Sequence, residues 1–92
     1  MEPRICQDVL WNKVEGDVVI LNLESGIYFS LSGVGSRFWE LIAEGVSRED
    51  AVQRLTAEYK VDASQLESDL DALLRDLSTE GLVSIEGQAS LE

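Results

Sequence analysis

Histidine is absent from the chain, cysteine and proline occur once each, and seven bases stand against eighteen acids. Each shortage excludes something. Without histidine there is no imidazole to act as a general base near neutral pH or as a metal ligand. One cysteine offers no thiolate pair for zinc. The acids do not fall in the twelve-residue spacing of a calcium loop. No metal or other cofactor is therefore expected. Cys6 has no histidine to activate it, and no serine has a base partner at a suggestive spacing, so nucleophilic catalysis is unsupported. A lone cysteine cannot close an internal disulfide, which fits a reducing compartment such as the cytoplasm. No apolar run exceeds a few residues, and no basic-then-apolar segment opens the chain, so neither membrane spanning nor export is expected.

The shortage of bases leaves a net charge of −11 over 92 residues. Nucleic acids and anionic membrane surfaces need a basic footprint, so both are poor partners. A basic peptide, or a basic face on a protein, would be attracted and steered. The alternative reading of the acids is solubility alone. The length permits one domain with one modest core and little room for a deep catalytic cavity. Apolar residues make up 45% of the chain, enough for a globular fold.

The first half reads as strands. One covers Asp8 to Lys13. A second, Val18-Val19-Ile20-Leu21, lies between Glu15-Gly16-Asp17 and Glu24-Ser25-Gly26. The third is Gly26-Ile27-Tyr28-Phe29-Ser30-Leu31-Ser32, whose alternation puts Ile27, Phe29 and Leu31 on one face and Tyr28 and Ser30 on the other. Gly33-Val34-Gly35 lacks the third glycine, the lysine and the length of a phosphate loop, and reads as a strand-to-helix turn. The second half reads as helices. Val34, Phe38, Leu41 and Ile42 recur at helical spacing and stop at Gly45. Ser47 to Asp50 begins the next helix as a capping box, with Ala51, Val52, Leu55 and Tyr59 on its buried side. Asp62, with Gln65 three residues on, is expected to cap a last helix carrying Leu66, Leu70, Leu73, Leu74 and Leu77. Gly81 closes that helix, and Leu82 to Ile85 is an extended tail packed back on the body. The reading is an α+β fold in which a three-stranded antiparallel sheet precedes three helices.

Chemistry is sparse on this frame. From Asp62 to Glu80 there are six acids and only Arg75 to answer them. Asp69 and Asp76, seven apart, share a helix face. An open solvated helix face explains them; a groove facing a basic or amide-bearing ligand is the alternative. Phe38, Trp39, Tyr59 and Trp11 read as packing, with Trp39 at the edge of the core. Tyr28 points away from its buried strand neighbours.

The ordered series Val18 to Leu23, Gly26 to Ser32, Val34 to Leu41, Ser47 to Tyr59 and Asp69 to Val83 resembles the PqqD family, over about residues 8 to 85. The resemblance implies a domain over residues 4–86, winged helix-turn-helix-like in outline, with a flexible tail over 87–92. It implies a non-enzymatic recognition element for the leader of a ribosomally made precursor peptide. The leader adds as a strand beside the third strand and sends side chains into a cleft against the third helix. Carried onto this chain, the peptide-binding residues are Ile27, Tyr28, Phe29, Ser30 and Leu31 on the strand, and Leu66, Asp69, Leu70, Leu73 and Asp76 on the helix. The partners implied are the leader and a leader peptidase or modifying enzyme. The likeness is nearest to the free-standing lasso-peptide type. The alternatives are a pyrroloquinoline quinone-type chaperone for a radical enzyme and a structural subunit of a modifying enzyme. A monomer is expected, although an open strand edge also permits a dimer.

Overall fold

The computed structural model describes residues 2–86. Its elements, in chain order, are β1 (Glu2–Ile5), β2 (Val9–Val14), β3 (Asp17–Asn22), β4 (Tyr28–Leu31), α1 (Gly33–Ala43), α2 (Arg48–Tyr59), α3 (Ala63–Thr79) and β5 (Val83–Glu86). The expected sheet is present as β2-β3-β4, antiparallel throughout, with the three helices following it. Val18 and Ile20 of β3 are fully buried, and their partners across the sheet are Lys13 and Leu31, and Trp11 and Phe29. One face of the sheet therefore packs on the helices, as a period of two requires.

A second sheet was not anticipated. β1 and β5 form an antiparallel ribbon, Pro3 opposite Ile85 and Ile5 opposite Val83. The tail from Leu82 is extended as expected, and Glu86 is its last paired residue. The segment carrying Cys6 is held by the ribbon: the Cys6 amide donates to the Leu82 carbonyl at 3.0 Å. The tail expected over 87–92 lies outside the described residues.

Helix ends follow their glycines. After α1, Gly45 takes φ 88° while its amide donates to the Ile42 carbonyl and that of Val46 to the Leu41 carbonyl. After α3, Gly81 takes φ 76° with the matching pair, Gly81 to Ser78 and Leu82 to Leu77. Both are Schellman endings, which need a left-handed residue at that position. The Ser47 side chain accepts from the Asp50 amide at 3.2 Å, completing the expected start of α2. Asp62 occupies the cap position of α3 but makes no side-chain cap bond. The expected partner Gln65 instead donates to Asp69 at 3.0 Å.

Trp39 is fully buried, not at the edge of the core, and meets Trp11 edge-to-face with ring centroids 6.2 Å apart. Such a pair contributes roughly 1 kcal/mol beyond its burial. Tyr59, expected inside, is exposed at the end of α2. Ion pairs tie the elements together. Glu40 on α1 takes Lys13 from β2 at 3.0 Å and Arg37 at 3.3 Å; Arg37 also reaches Glu58 on α2; Arg48 on α2 reaches Asp71 on α3 at 2.8 Å.

Asn22 is the one buried side-chain amide among the described residues. Its Nδ2 donates to the Glu80 carbonyl at the end of α3, at 3.0 Å. Its Oδ1 accepts from the amides of Glu24 and Ser25 in the turn before β4. Replacing it with alanine strands those groups, and the cost of leaving buried polar groups unpaired is about 1–3 kcal/mol. Asn22→Ala is therefore expected to lower the urea midpoint by that amount of stability, while a surface control such as Ser68→Ala leaves it in place. The hydrogen bond from Lys13 is the main cause that holds the Glu40 carboxyl below its ordinary value, with Arg37 adding to it. A depressed acid stabilises the fold above its unfolded pKa and loses that contribution as pH falls through its folded value. The stability gap between the native chain and Glu40→Gln should thus be present at neutral pH and close in acid, as urea melts across pH will show.

Candidate peptide-binding groove

β4 is an edge of its sheet and has β3 as its one strand neighbour. Two indirect links relate it to α3. At its start, Leu21 pairs with Tyr28, and the adjoining Asn22 bonds the Glu80 carbonyl. At its end, Leu31 and Leu73 both lie within 4 Å of the position a side chain would take at Gly35. Between those anchors α3 rises about 10 Å over seven residues and β4 covers about 10 Å over three. Strand edge and helix therefore run alongside each other in opposite directions.

Beyond Leu31 the space between α1 and α3 opens into a groove of about 240 Å³, lined by Val34, Gly35, Val61, Gln65, Leu66, Asp69, Leu70 and Leu73. The lining is apolar except for Gln65 and Asp69, which are bonded to each other. Gly35 keeps it open. Its Cβ position stands 3.7 Å from Leu73 Cδ2 and 3.9 Å from Leu31, so any longer side chain there would occupy the groove.

The structure brings together four of the five helix residues expected at the site. Leu66, Asp69, Leu70 and Leu73 line the groove. Leu66 and Leu70 are also buried core residues, whereas Leu73 is half-buried and Asp69 exposed. Asp76 falls between the two anchors on the same stripe as Leu73, but it is exposed and does not line the groove. On the strand, Phe29 and Leu31 are half-buried against the core, and Tyr28 and Ser30 are exposed on the opposite side. Ile27 departs from expectation. It precedes β4, its carbonyl accepts the Asn22 amide at 3.0 Å, and its side chain is 51% exposed. The turn ends there, so the strand's alternation does not extend back to it. Val34, Gly35, Val61 and Gln65 were not expected at the site. Gly35 carried a signal, being a glycine in what becomes the first turn of a helix, where its flexibility has a cost.

A larger hollow, about 560 Å³, lies elsewhere, between β1, β2 and the end of α1, and includes Arg4. Among the described residues no cluster of three or more acids or thiols could hold a metal ion, and no helix is long and apolar enough to cross a membrane.

An open strand edge running beside an apolar groove is the geometry of a domain that receives an extended peptide. The chain belongs to the PqqD family: the family described as coenzyme PQQ synthesis protein D matches residues 17–83. Two solved structures are similar over nearly the whole chain. One, TbiB1 in complex with the TbiA(beta) leader peptide, is 40% identical, with a TM-score of 0.86 over 95% of this chain and 99% of that one. The other, a lasso peptide synthetase B1 complexed with the leader peptide, is 27% identical, with a TM-score of 0.83 over 92% of this chain and 100% of that one. No curated protein sequence matches.

The groove geometry makes Gly35 informative. An alanine Cβ would make ordinary contacts at 3.7 and 3.9 Å. Gly35→Ala is expected to fold with unchanged or slightly higher stability, gaining up to about 1 kcal/mol from helix propensity. Thermal melting followed by circular dichroism checks it; a fall in Tm of several degrees would contradict the contact geometry.

Proposed function

We propose that this chain is an adaptor, without a catalytic step of its own, in lasso peptide biosynthesis. It binds the leader of a ribosomally made precursor peptide as a strand added along β4 and presents it to a leader peptidase or modifying enzyme. The domain spans residues 4–86 and works in the cytoplasm. The observation that carries this is the β4 edge, free along the length over which it runs beside α3 and opening onto the groove at Leu73. Support comes from the likeness to two proteins whose structures hold leader peptides.

Strand addition supplies main-chain hydrogen bonds that any sequence can make, and side-chain pockets then supply selectivity. Tyr28, Phe29, Ser30 and Leu31 form the strand wall, with Ile27 at its entry. Leu73, Leu70 and Leu66 give the groove its apolar floor, and Asp69 and Asp76 offer carboxylates to cationic or amide groups of the leader. The net charge of −11 favours a leader with positive charge near its apolar residues. The family description favours a second reading, in which the precursor is that of a quinone cofactor. Binding of one class of leader and not the other decides between them.

Fluorescence polarisation with a labelled synthetic cognate leader tests the reading. Gly35→Leu fills the groove between Leu31 and Leu73 and should weaken binding at least about tenfold, roughly 1.4 kcal/mol, with an unchanged circular dichroism spectrum. Asp69→Lys should weaken a cationic leader and spare the fold. A polar replacement of Leu70 is unsuitable as a test, because Leu70 is only 2% exposed and belongs to the core. Full affinity in both variants, or no binding by the native chain at high micromolar leader, would sink the proposal.

A further inference from the structure

Asn22, the last residue of β3, holds the whole turn into β4. Its amide donates to the Ile27 carbonyl at 3.0 Å, and its carbonyl accepts from the Gly26 amide at 2.8 Å. Its side-chain Oδ1 accepts from the amides of Glu24 at 2.9 Å and Ser25 at 3.3 Å. Its Nδ2 donates to the Glu80 carbonyl at 3.0 Å. The main chain of Asn22 thus closes the base of the turn, and its side chain holds the tip. Gly26, at φ 74°, supplies the left-handed step that lets the chain return.

The bond from Asn22 to Ile27 sets the phase of the ladder. In an antiparallel pair, opposed residues alternate between those that exchange main-chain hydrogen bonds and those that do not. Leu21 lies opposite Tyr28 and Ile20 opposite Phe29, so Asn22 and Ile27 are the next opposed pair. With that pair bonded, Phe29 and Leu31 also bond to β3, and Tyr28 and Ser30 turn their N–H and C=O groups away from it. β3 is the one strand neighbour of β4, so the free main-chain groups of the edge belong to Tyr28 and Ser30. Side chains follow the same alternation. Tyr28 and Ser30 are exposed, and Tyr28 continues a row with Leu21 and Leu10 on the outer face, where Leu10 is 57% exposed. Phe29 and Leu31 pack against the core. A slip of one residue in the turn would exchange the two sets. β4 is only four residues long, so its own ladder offers little resistance to such a slip.

We propose that Asn22 is the positioning residue of the leader-binding edge: its Oδ1 pins the turn, and the turn makes Tyr28 and Ser30 the residues that bond an added strand. The inference rests on strand addition at β4. Asn22 touches no leader and acts through the turn. Its bond to Glu80 seats that turn on the end of α3, while the acceptor end of the same amide fixes the phase.

The test combines amide hydrogen exchange by NMR on the full chain with fluorescence polarisation of a labelled synthetic cognate leader. In the native chain the amides of Tyr28 and Ser30 should exchange at least about tenfold faster than those of Phe29 and Leu31, and added leader should slow the first two at least about tenfold. Asn22→Ala should lose this contrast and weaken leader binding at least about tenfold, at a temperature where its circular dichroism spectrum is native. Val52→Ala, in the core on α2, serves as the control for lost stability alone. It should keep the contrast, and its leader affinity should stay within about twofold of native. Asn22→Asp keeps the acceptor for Glu24 and Ser25 and loses the donor to Glu80. It should retain the contrast and bind leader at least about threefold more tightly than Asn22→Ala. The proposal is overturned by a preserved contrast or native leader affinity in Asn22→Ala. Equal weakening by Val52→Ala overturns it as well, since the role of Asn22 would then be stability alone. If Asn22→Ala does not fold, Asn22→Asp decides, and loss of the contrast in that folded variant counts against the proposal. A native chain that binds no leader would remove strand addition, and exchange in the free chain would still judge whether Asn22 sets the phase.

Discussion

The buried amide of Asn22 joins the end of α3 to the turn that leads into β4. Its donor end holds the Glu80 carbonyl at the C-cap of α3, and its acceptor end holds the turn that launches β4. A side chain with donor and acceptor at fixed separation is suited to this, because each lone pair and proton must be met inside the protein. Gly81 lies close by: a Cβ there would stand 3.3 Å from the Asn22 Nδ2. The glycine that ends α3 and the amide that pins it thus act at one point. The spacing between strand edge and helix depends on that point and on the Leu31, Gly35 and Leu73 contact at the other end.

The remaining structure keeps those walls rigid. Phe38, Trp39 and Leu41 of α1 are fully buried, together with Ile20 beneath the sheet and Leu55 of α2. Arg48 and Asp71 tie α2 to α3, and Asp71 is the first cause that raises the already high pKa of this guanidinium. A groove on such a support need not form on binding. Less conformational entropy is then lost when a flexible peptide is ordered against it.

Much of this is legible in the sequence, and the rest is hidden for physical reasons. Strands β2 to β4 and the three helices carry their own local signals: the β-branched run from Val18 to Leu21, the alternation from Tyr28 to Leu31, the capping Ser47, and the stops at Gly45 and Gly81. In the β1-β5 ribbon only the extended tail from Leu82 is legible, not β1 or the pairing. Its strands are four residues each, one contains a proline, and the pairing joins the two ends of the described chain. Nothing local specifies such contacts. Asn22 reads as an ordinary polar end to a strand until Glu80 is seen beside it. Leu66, Asp69, Leu70 and Leu73 are expected at the groove from the leucine stripe and the resemblance together. Gly35 reads as part of a turn, because its role depends on Leu31 and Leu73 meeting across it. A period of two puts Ile27 on the buried face, but that period begins only at Tyr28.

The two faces of the sheet are independent of each other. A single edge strand has one row of free main-chain groups, so one added strand fills it. The pleat would sort the side chains of such a strand, inward toward the groove and outward toward solvent. Each face can change its side chains without disturbing the other. The asymmetry in charge serves the same separation. Lys13 is held inward by Glu40, leaving the outer face with an acidic border. An acidic domain of this sign repels its own copies and attracts basic partners, so its open edge and apolar face can remain available without self-pairing.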